Sequence, residues 1–346
     1  RLGADAQQNL TAYQSRIVTP SPLYQRGWIP ATGNDNVDGA AGLSYAIPNK
    51  IVEYVRHPSA VPVGFWRSVG ESINCFAVES ALDELALRTG ADPVAMHTAL
   101  LAKNPRGAAV VAAAAEGLGW STPPVSTPVT AVSGNGTAVT YTTSAAHGFV
   151  VGQTVCISGL VPTAFNKAGA VVTAVPDPTH FTIAGTTTGA ATTSGSVTGV
   201  GRGLAYSEGF GSLSALALEI TLPAPKTVKV TRVACAVDCG LAVNPGQVEA
   251  QLQGGIIQGI SAALWGQTTF ASGRASSRNF SNTRVLRMRE TPPITVRIVP
   301  SGLGNLGGIG EVGVPLPAPA IANAYARLTG TRIRTLPFFP GAGMGE

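Results

Sequence analysis

The sequence is short of charge and of the residue types that most often build metal or stacking sites. Of its 346 residues, only 12% are charged and 6% are aromatic, and it holds four cysteines and four histidines. Charged residues make up about 25% of an average soluble domain. So little charge leaves few side chains to cover an independent surface, and we therefore expect much of this surface to lie against partner chains.

These shortages disfavour several classes of protein. The net charge is +5, but Lys and Arg are scattered and do not alternate with aromatic residues, which indicates no nucleic-acid partner. No apolar run approaches the roughly 18 residues of a membrane-spanning helix. Cys235 and Cys239 fall in an alternating strand pattern without a second pair, so structural thiols are favoured over a metal site. The scattered histidines disfavour a histidine metal site or a Ser-His-acid triad.

The composition changes abruptly at about residues 121 and 200. Between them the sequence is dominated by Thr, Ser, Gly, Val and Ala, and Lys167 and Asp177 are its only charged residues. Short β-prone runs alternate there with turn residues, which predicts a compact all-β module. Both flanks carry helical patterns. We therefore predict an α+β protein in which residues 1–120 and 201–346 form one domain, interrupted by the module at 121–200.

Helix caps and alternating patterns predict the elements of the flanks. The predicted helices cover about 72–89, begin at Asp92-Pro93 and at Asn244-Pro245, and cover about 319–328. The predicted strands cover 227–237, 294–299 and 332–336.

Glu311 lies in the segment Gly307-Gly-Ile-Gly-Glu-Val-Gly, where the surrounding backbone is almost bare of side chains. Glycine allows a sharp turn or the close approach of a ligand. A lone carboxylate presented in this way is a candidate general base. The alternative is a turn with a solvated acid, and the spacing alone does not decide between them.

Two further segments carry candidate binding residues. Gly254, Gly255 and Gly259 lie in one predicted helix, where each costs about 1 kcal/mol relative to alanine. A ligand or another helix against bare backbone would explain them, and Gln251 and Gln258 would offer such a ligand amides. Separately, Arg67 precedes a helix N-terminus, where it could hold an anion or oxo group or could belong to a surface turn.

The ordered set of segments resembles one family. It is similar to the C-terminal half of the molybdopterin-binding large subunit of the xanthine dehydrogenase/aldehyde oxidase family, and most similar to the isoquinoline 1-oxidoreductase β-subunit and membrane-associated aldehyde dehydrogenase branch. The similarity covers about residues 40–120 and 200–340. Each motif is weak alone, and the order makes the set specific. The motifs are Gly64-Phe-Trp-Arg-Ser-Val-Gly, Glu79 with Asp83-Glu-Leu-Ala, Asp92-Pro, Gly201-Arg-Gly, Val237-Asp-Cys-Gly with Asn244-Pro, Gln251-Leu-Gln-Gly-Gly and Gly308-Ile-Gly-Glu-Val-Gly.

The resemblance implies a molybdopterin-dependent oxidoreductase that hydroxylates an aldehyde or N-heterocycle carbon with oxygen derived from water. It implies that Glu311 is the catalytic base, and that the pterin rather than the protein holds the metal. The implied cofactor is molybdopterin cytosine dinucleotide with molybdenum, and electrons would leave through [2Fe-2S] clusters on a partner subunit. The residues implied to bind the cofactor are Arg67, Ser68, Gln251, Gly254, Gly255 and Gly310.

The sequence departs from the family pattern in three places. Val312 stands where proline often follows the acid, and the module at 121–200, which resembles immunoglobulin-like repeats, is additional. The upstream Gly-Gly-Gly-Phe-Gly motif that helps to hold the cofactor is absent. We therefore expect a separate chain, or a segment lost from a precursor, to supply the other half of the site. A cytochrome c subunit is a further candidate partner, and a periplasmic or membrane-associated complex is favoured over a cytoplasmic one.

Two other functions stay open at this stage. A catalytically inactive relative could act as a scaffold attached through the β module, although an inactive site would have no need of Glu311. An acid–base hydrolase would need a second carboxylate near Glu311, and the sequence indicates none.

Overall fold

The computed structural model describes residues 1–29 and 36–339. Its helices are α1 (Pro22–Gln25), α2 (Glu71–Thr89), α3 (Pro93–Leu100), α4 (Pro105–Leu118), α5 (Pro245–Trp265) and α6 (Pro317–Thr329). Its strands are β1 (Leu2–Ala4), β2 (Leu10–Thr19), β3 (Asn49–Arg56), β4 (Thr127–Asn135), β5 (Ala138–Thr143), β6 (Thr154–Ser158), β7 (Lys167–Asp177), β8 (His180–Ala184), β9 (Thr188–Ala190), β10 (Gly195–Thr198), β11 (Gly201–Gly209), β12 (Ser212–Ala224), β13 (Thr227–Asp238), β14 (Phe270–Ala271), β15 (Arg274–Ala275) and β16 (Ile294–Ile298). Within these described ranges, no helix is both long enough and apolar enough to cross a membrane.

A four-stranded sheet in the order β11-β12-β13-β16 forms the centre of the flanking parts. β13 and β16 are parallel, and the other pairs are antiparallel. Successive side chains of a strand point to opposite faces. Leu216 and Leu218 of β12 accordingly lie in a core with α5 and α6, whereas Ala215 and Ala217 lie in a second core with α4. The sheet is therefore covered on both faces, which explains its nearly continuous apolar strands.

Residues 127–198 form a separate seven-stranded sheet. The strand order is β10-β6-β7-β8-β5-β4-β9, and β10 pairs with both β6 and β4, so that these strands, apart from β9, close into a ring. Its buried side chains, among them Tyr141, Phe165 and Phe181, make a hydrophobic cluster of their own. The β-prone runs in this part of the sequence are strands, as predicted. The division into three domains stays a prediction.

The structure agrees with most predicted elements of the flanks, contradicts one, and adds several that the sequence did not predict, among them β1–β3, β11 and β12. Strand β13 and helices α2, α3, α5 and α6 lie where the patterns place them. The strand predicted at 332–336 is wrong, because this segment has no sheet partner and its arginines reach α2 instead. Arg332 binds Asp83 and Arg334 binds Glu84. Helix α4, which is rich in alanine and glycine, was not predicted. Cys235 is buried, and burial raises the pKa of its thiol to about 12, which opposes the thiolate that a metal would need.

Helix α2 is fixed by buried carboxylates on its inner face. Asp83, 1% exposed, is paired with Arg327 and Arg332 at 2.5 and 2.8 Å. Glu79, also 1% exposed, accepts from the hydroxyl of Tyr45 at 2.7 Å and contacts Nε2 of His97 at 2.8 Å. Burial alone would lower the pKa of His97, but the charge of Glu79 and the hydrogen bond to it prevail, and the pKa is raised.

Helix α6 lies so close to β11 that the strand needs a glycine at the point of contact. A Cβ atom on Gly203 would overlap the carbonyl oxygen of Ala320, and it would lie 2.7 Å from the nitrogen of Ala324. We expect Gly203→Ala to lower the free energy of unfolding by about 3 kcal/mol, because the obstacle is helix backbone that cannot move independently. Gly304→Ala, in open space, is the matched control. Equal thermal unfolding midpoints for the two variants would contradict this packing.

Candidate cofactor site

The guanidinium of Arg67 joins three segments that are far apart in the sequence. Its Nε donates to the carbonyl oxygen of Gly310 at 2.6 Å. Its Nη1 donates to Oε1 of Gln258 at 3.1 Å, and its Nη2 donates to Oε1 of Gln251 at 3.0 Å. A planar fork of five donors can make such contacts at once. Arg67 thereby fixes the loop before α2, one side of α5 and the glycine loop 307–313 in one place.

The neighbouring residue, Ser68, holds the candidate base. Its backbone N–H donates to Oε2 of Glu311 at 2.6 Å, and its hydroxyl donates to the carbonyl oxygen of Glu311 at 2.6 Å. No described residue donates to Oε1 of Glu311. Ser68 is buried and Glu311 is half-buried. One carboxylate oxygen is therefore fixed, and the other can take up a proton.

The turn that makes these contacts is strained. Ser68 has φ of 80° and Val69 has φ of 40°, in the left-handed region that a β-branched residue rarely adopts. A bond from the N–H of Val69 to the carbonyl oxygen of Trp66, at 2.8 Å, closes the turn. Strain of this kind persists only where the surrounding contacts impose it, and it is concentrated at functional sites. Here the strained turn is the segment that contacts Glu311.

The glycines of α5 and of the glycine loop differ in what surrounds them. Gly254 is exposed, and a Cβ atom there would meet nothing within 4 Å. Gly310 is exposed and open in the same way. Gly255, in contrast, is buried, and a Cβ atom there would lie 3.2 Å from Cα of Gly313. The structure thus differs from the expectation at Gly255, because this residue packs against the glycine loop. The free space beside Gly254 and Gly310 is called the opening below.

The residues around this opening fit a group that is rich in hydrogen-bonding atoms and brings its own metal ligands. The side-chain oxygens of Gln251 and Gln258 accept from Arg67, which leaves both amide nitrogens to donate elsewhere. Gly254 and Gly310 add uncovered backbone. Among the described residues, no group of three His, Cys, Asp or Glu side chains could hold a metal ion. These donors suit a heterocycle such as a pterin.

Sequence reasoning missed one acid of this region. Glu71, the first residue of α2, is 4% exposed and lies close enough to Glu311 for the charge of Glu311 to act on it. The structure thus has a buried acid in this region that the sequence did not indicate. An acidic residue at a helix N-terminus is usually solvent-exposed and stabilises the helix through its interaction with the helix dipole. No signal in the local sequence distinguishes this buried acid from a solvated one.

The chain is similar to a molybdopterin-binding family and to known oxidoreductases and dehydrogenases. Residues 219–292 match the molybdopterin cofactor-binding domain family. The chain is 30% identical over 298 residues to the isoquinoline 1-oxidoreductase subunit beta of Brevundimonas diminuta, which covers 86% of this chain and 29% of that protein. It is 34% identical over 104 residues to the membrane-bound aldehyde dehydrogenase (pyrroloquinoline-quinone) of Gluconacetobacter polyoxogenes, which covers 30% of this chain and 13% of that protein. The chain thus spans less than a third of the length of either relative.

The fold is that of a solved structure. Quinoline 2-oxidoreductase from Pseudomonas putida 86 matches 97% of this chain and 60% of its own with a TM-score of 0.59. The sequence identity is 14%, so this likeness shows the fold alone.

Two glycines of α5 should respond oppositely to alanine. A Cβ atom on Gly259 would lie 2.6 Å from the carbonyl oxygen of Val314 and 2.9 Å from Cγ of Pro317. We expect Gly259→Ala to destabilise the protein by about 2 kcal/mol through overpacking. We expect Gly254→Ala to stabilise it by up to about 1 kcal/mol, because the helix gains a better helix former without a clash. Thermal unfolding of the two variants tests this, and the same sign for both would contradict the assignment.

Proposed function

The chain belongs to the molybdopterin-binding proteins of the xanthine dehydrogenase/aldehyde oxidase family, and on that premise we propose that it forms the C-terminal half of the catalytic subunit of a hydroxylase. The proposed substrates are aldehydes or N-heterocycles, and water supplies the oxygen. The contact between Ser68 and Glu311 carries this proposal, since it presents one free carboxylate oxygen beside uncovered backbone.

The proposed reaction converts a C–H bond and water into a C–OH group with release of two protons and two electrons. Bound molybdopterin would supply the redox chemistry and take up the two electrons. Glu311 takes one of the protons at Oε1, while the N–H of Ser68 keeps Oε2 in place. General bases of this kind contribute about 10²–10⁴-fold to a rate.

Arg67 and the two glutamines position these groups. Arg67 ties the glycine loop to α5, so Glu311 keeps its orientation towards the opening. The amide nitrogens of Gln251 and Gln258 donate to the bound heterocycle, and Gly254 and Gly310 allow it to approach the backbone. We propose the cytosine dinucleotide form of the cofactor on the strength of the family resemblance.

An apolar cavity beside the strained turn supports the choice of substrates. Its volume is about 440 Å³, and none of the described residues that line it carries a charge. Such a cavity suits a neutral aromatic or aliphatic molecule, because burying an unpaired charge would cost too much. Residues on its walls include Trp66, Val69, Ile73, Val314 and Ala318.

The proposed complex contains further chains. The chain spans less than a third of the length of these curated relatives. We propose that a separate chain, or a part of the same precursor, supplies the other half, that a [2Fe-2S] subunit takes the electrons, and that a cytochrome c subunit can follow. We also propose that residues 121–200 are an immunoglobulin-like insertion between two parts of one domain, 1–120 and 201–346.

Glu311→Gln tests the proposed base. The amide keeps the shape of the side chain but cannot take up a proton, so we expect turnover to fall by at least about 10²-fold with the molybdenum content unchanged. Turnover is measured with aldehydes and N-heterocycles, and molybdenum by elemental analysis of the purified complex. Glu249→Gln, on the exposed side of α5, is the matched control. An unaltered rate in Glu311→Gln would show that Glu311 is not the base, whereas absence of turnover in the wild-type complex would favour a scaffold function.

Gly254→Leu tests the proposed cofactor contact. Leucine is a better helix former than glycine, and its Cβ atom would meet nothing within 4 Å, so the unfolding midpoint should not fall. We expect the pterin and molybdenum content of the purified complex to fall severalfold, because the side chain would occupy the space of the heterocycle. Gly304→Leu, in an open loop, is the control. Full cofactor content in Gly254→Leu would place the pterin elsewhere.

A further inference from the structure

The glycine loop 307–313 is bound to strand β12 on both sides of the proposed base. Before the acid, the carbonyl oxygen of Gly308 accepts a hydrogen bond from the hydroxyl of Ser212 at 2.8 Å. Directly after the acid, the carbonyl oxygen of Val312 accepts a hydrogen bond from the hydroxyl of Ser214 at 3.2 Å. Strand β12 thus fixes the loop backbone at two points, and the acid lies between them.

The two serines take positions that leucines occupy further along the same strand. Because the side chains of a strand alternate between its faces, Ser212, Ser214 and Leu216 share one face. Leu216 lies in the core with α5 and α6, and each serine is only 1% exposed. A buried hydroxyl costs free energy unless it is hydrogen-bonded. The hydrogen bonds to the loop therefore explain why serine, and not another apolar residue, stands at these two positions.

The turn of the β11–β12 hairpin makes a third contact with the loop. Gly209 and Ser212 are register partners, and the two residues between them, Phe210 and Gly211, have φ of 55° and 76°. A turn with two left-handed central residues matches the twist of a hairpin. The carbonyl oxygen of Phe210 accepts from the N–H of Gly308 at 2.7 Å. Both backbone polar groups of Gly308 are therefore bound by the end of this hairpin.

The loop needs such contacts because it has little stiffness of its own. Four of its seven residues are glycine, at positions 307, 308, 310 and 313. Glycine loses more conformational freedom than any other residue when the chain is ordered. Arg67 and Ser68 hold the middle of the loop through Gly310 and Glu311. The backbone that carries the acid is thus held between the turn before α2 and strand β12.

We propose that Ser212 and Ser214 are positioning residues for Glu311. Their hydroxyls bind the loop backbone on either side of the acid and thereby keep its free carboxylate oxygen directed towards the opening. Both residues are buried and both hydroxyls donate to loop carbonyl oxygens, so they act through the loop and not on the substrate. This inference rests on the proposed function for its catalytic consequence, whereas the anchoring of the loop does not depend on that function.

Hydrogen exchange in the purified complex tests the anchoring without any turnover. The N–H groups of Gly308 and Val314 are hydrogen-bonded, so their exchange reports how often the loop opens. We expect Ser212→Ala and Ser214→Ala each to raise the exchange rate of the peptide 307–314 severalfold, because each variant removes one anchor of the loop. Exchange in the rest of the chain should not change. An unchanged rate of this peptide in either variant would overturn the assignment of that serine.

Matched variants separate the hydrogen bond from the side chain that makes it. Ser212→Thr and Ser214→Thr keep the hydroxyl, and threonine favours strands, so both should exchange and turn over like the wild type. Thr143→Val removes a buried hydroxyl that donates to the carbonyl oxygen of Ala145 at 2.7 Å in the separate seven-stranded sheet, and it should leave the peptide 307–314 unchanged. Equal defects in the alanine and threonine variants would show that side-chain size matters and not the donor, which overturns the inference.

Turnover then tests the catalytic consequence. We expect each alanine variant to lower kcat by about 10-fold to 10²-fold with KM and molybdenum content unchanged, because a displacement of about 1 Å can cost this much. In a Glu311→Gln background the same substitutions should have no further effect, since no base is left to position. A further loss of equal size in that background would show a general structural role and overturn the inference. If Glu311→Gln alone leaves turnover unaltered, the proposed base and this consequence fail together, and the exchange result still decides the anchoring.

Discussion

The cost of burying charge governs how this chain builds its site. Helix α2 turns three carboxyl groups, Glu71, Glu79 and Asp83, towards the interior, and each is less than 5% exposed. Such groups must be paired, hydrogen-bonded or neutralised by a proton. Asp83 is paired with arginines from the α6 region and Glu79 with the imidazole of α3. Because these contacts fix α2 at two points, they also fix the turn that precedes it.

That turn is the centre of the site. Arg67 and Ser68 contact Gly310 and Glu311, which lie more than two hundred residues further along the chain. The central sheet brings the two regions together, and its helices α5 and α6 leave room only for backbone at several points of contact. The glycines therefore have two structural roles. Some let elements approach each other, whereas Gly254 and Gly310 leave space next to the acid.

The sequence predicted elements whose signals are local. Asn244 and Pro245 mark the start of α5, and the alternating pattern marks β13. The family motifs predicted which distant residues meet, and Arg67, Gln251 and Glu311 do lie together. The strand predicted at 332–336 failed because Arg332 and Arg334 are engaged by acids of α2, a tertiary contact with no local signal.

The buried acid shows the limit of local reading more clearly. Glu71 stands where a solvated acid favours a helix N-terminus, and its environment is set by Gly39 and Gly209, which are distant in sequence. Gly255 illustrates the same limit, because helical spacing places it beside Gly254 without showing which of the two faces the glycine loop. Burial and facing direction are properties of the packed chain, so they became visible only in three dimensions.

The seven-stranded sheet enters and leaves the rest of the protein at one place. Thr127, at the start of β4, is the register partner of Val197 near the end of β10, and the hydroxyl of Thr198 donates to the carbonyl oxygen of Val125. The segments that enter and leave the sheet are thus paired neighbours, one strand spacing apart. Beyond these two chain ends the sheet also rests on the rest of the protein, because Cys156 of β6 packs against the main core and a Cβ atom on Gly169 of β7 would lie 3.0 Å from the carbonyl oxygen of Thr329 at the end of α6. Sequence changes on this contacting side would therefore reach α6, whereas changes on exposed positions elsewhere in the sheet would not.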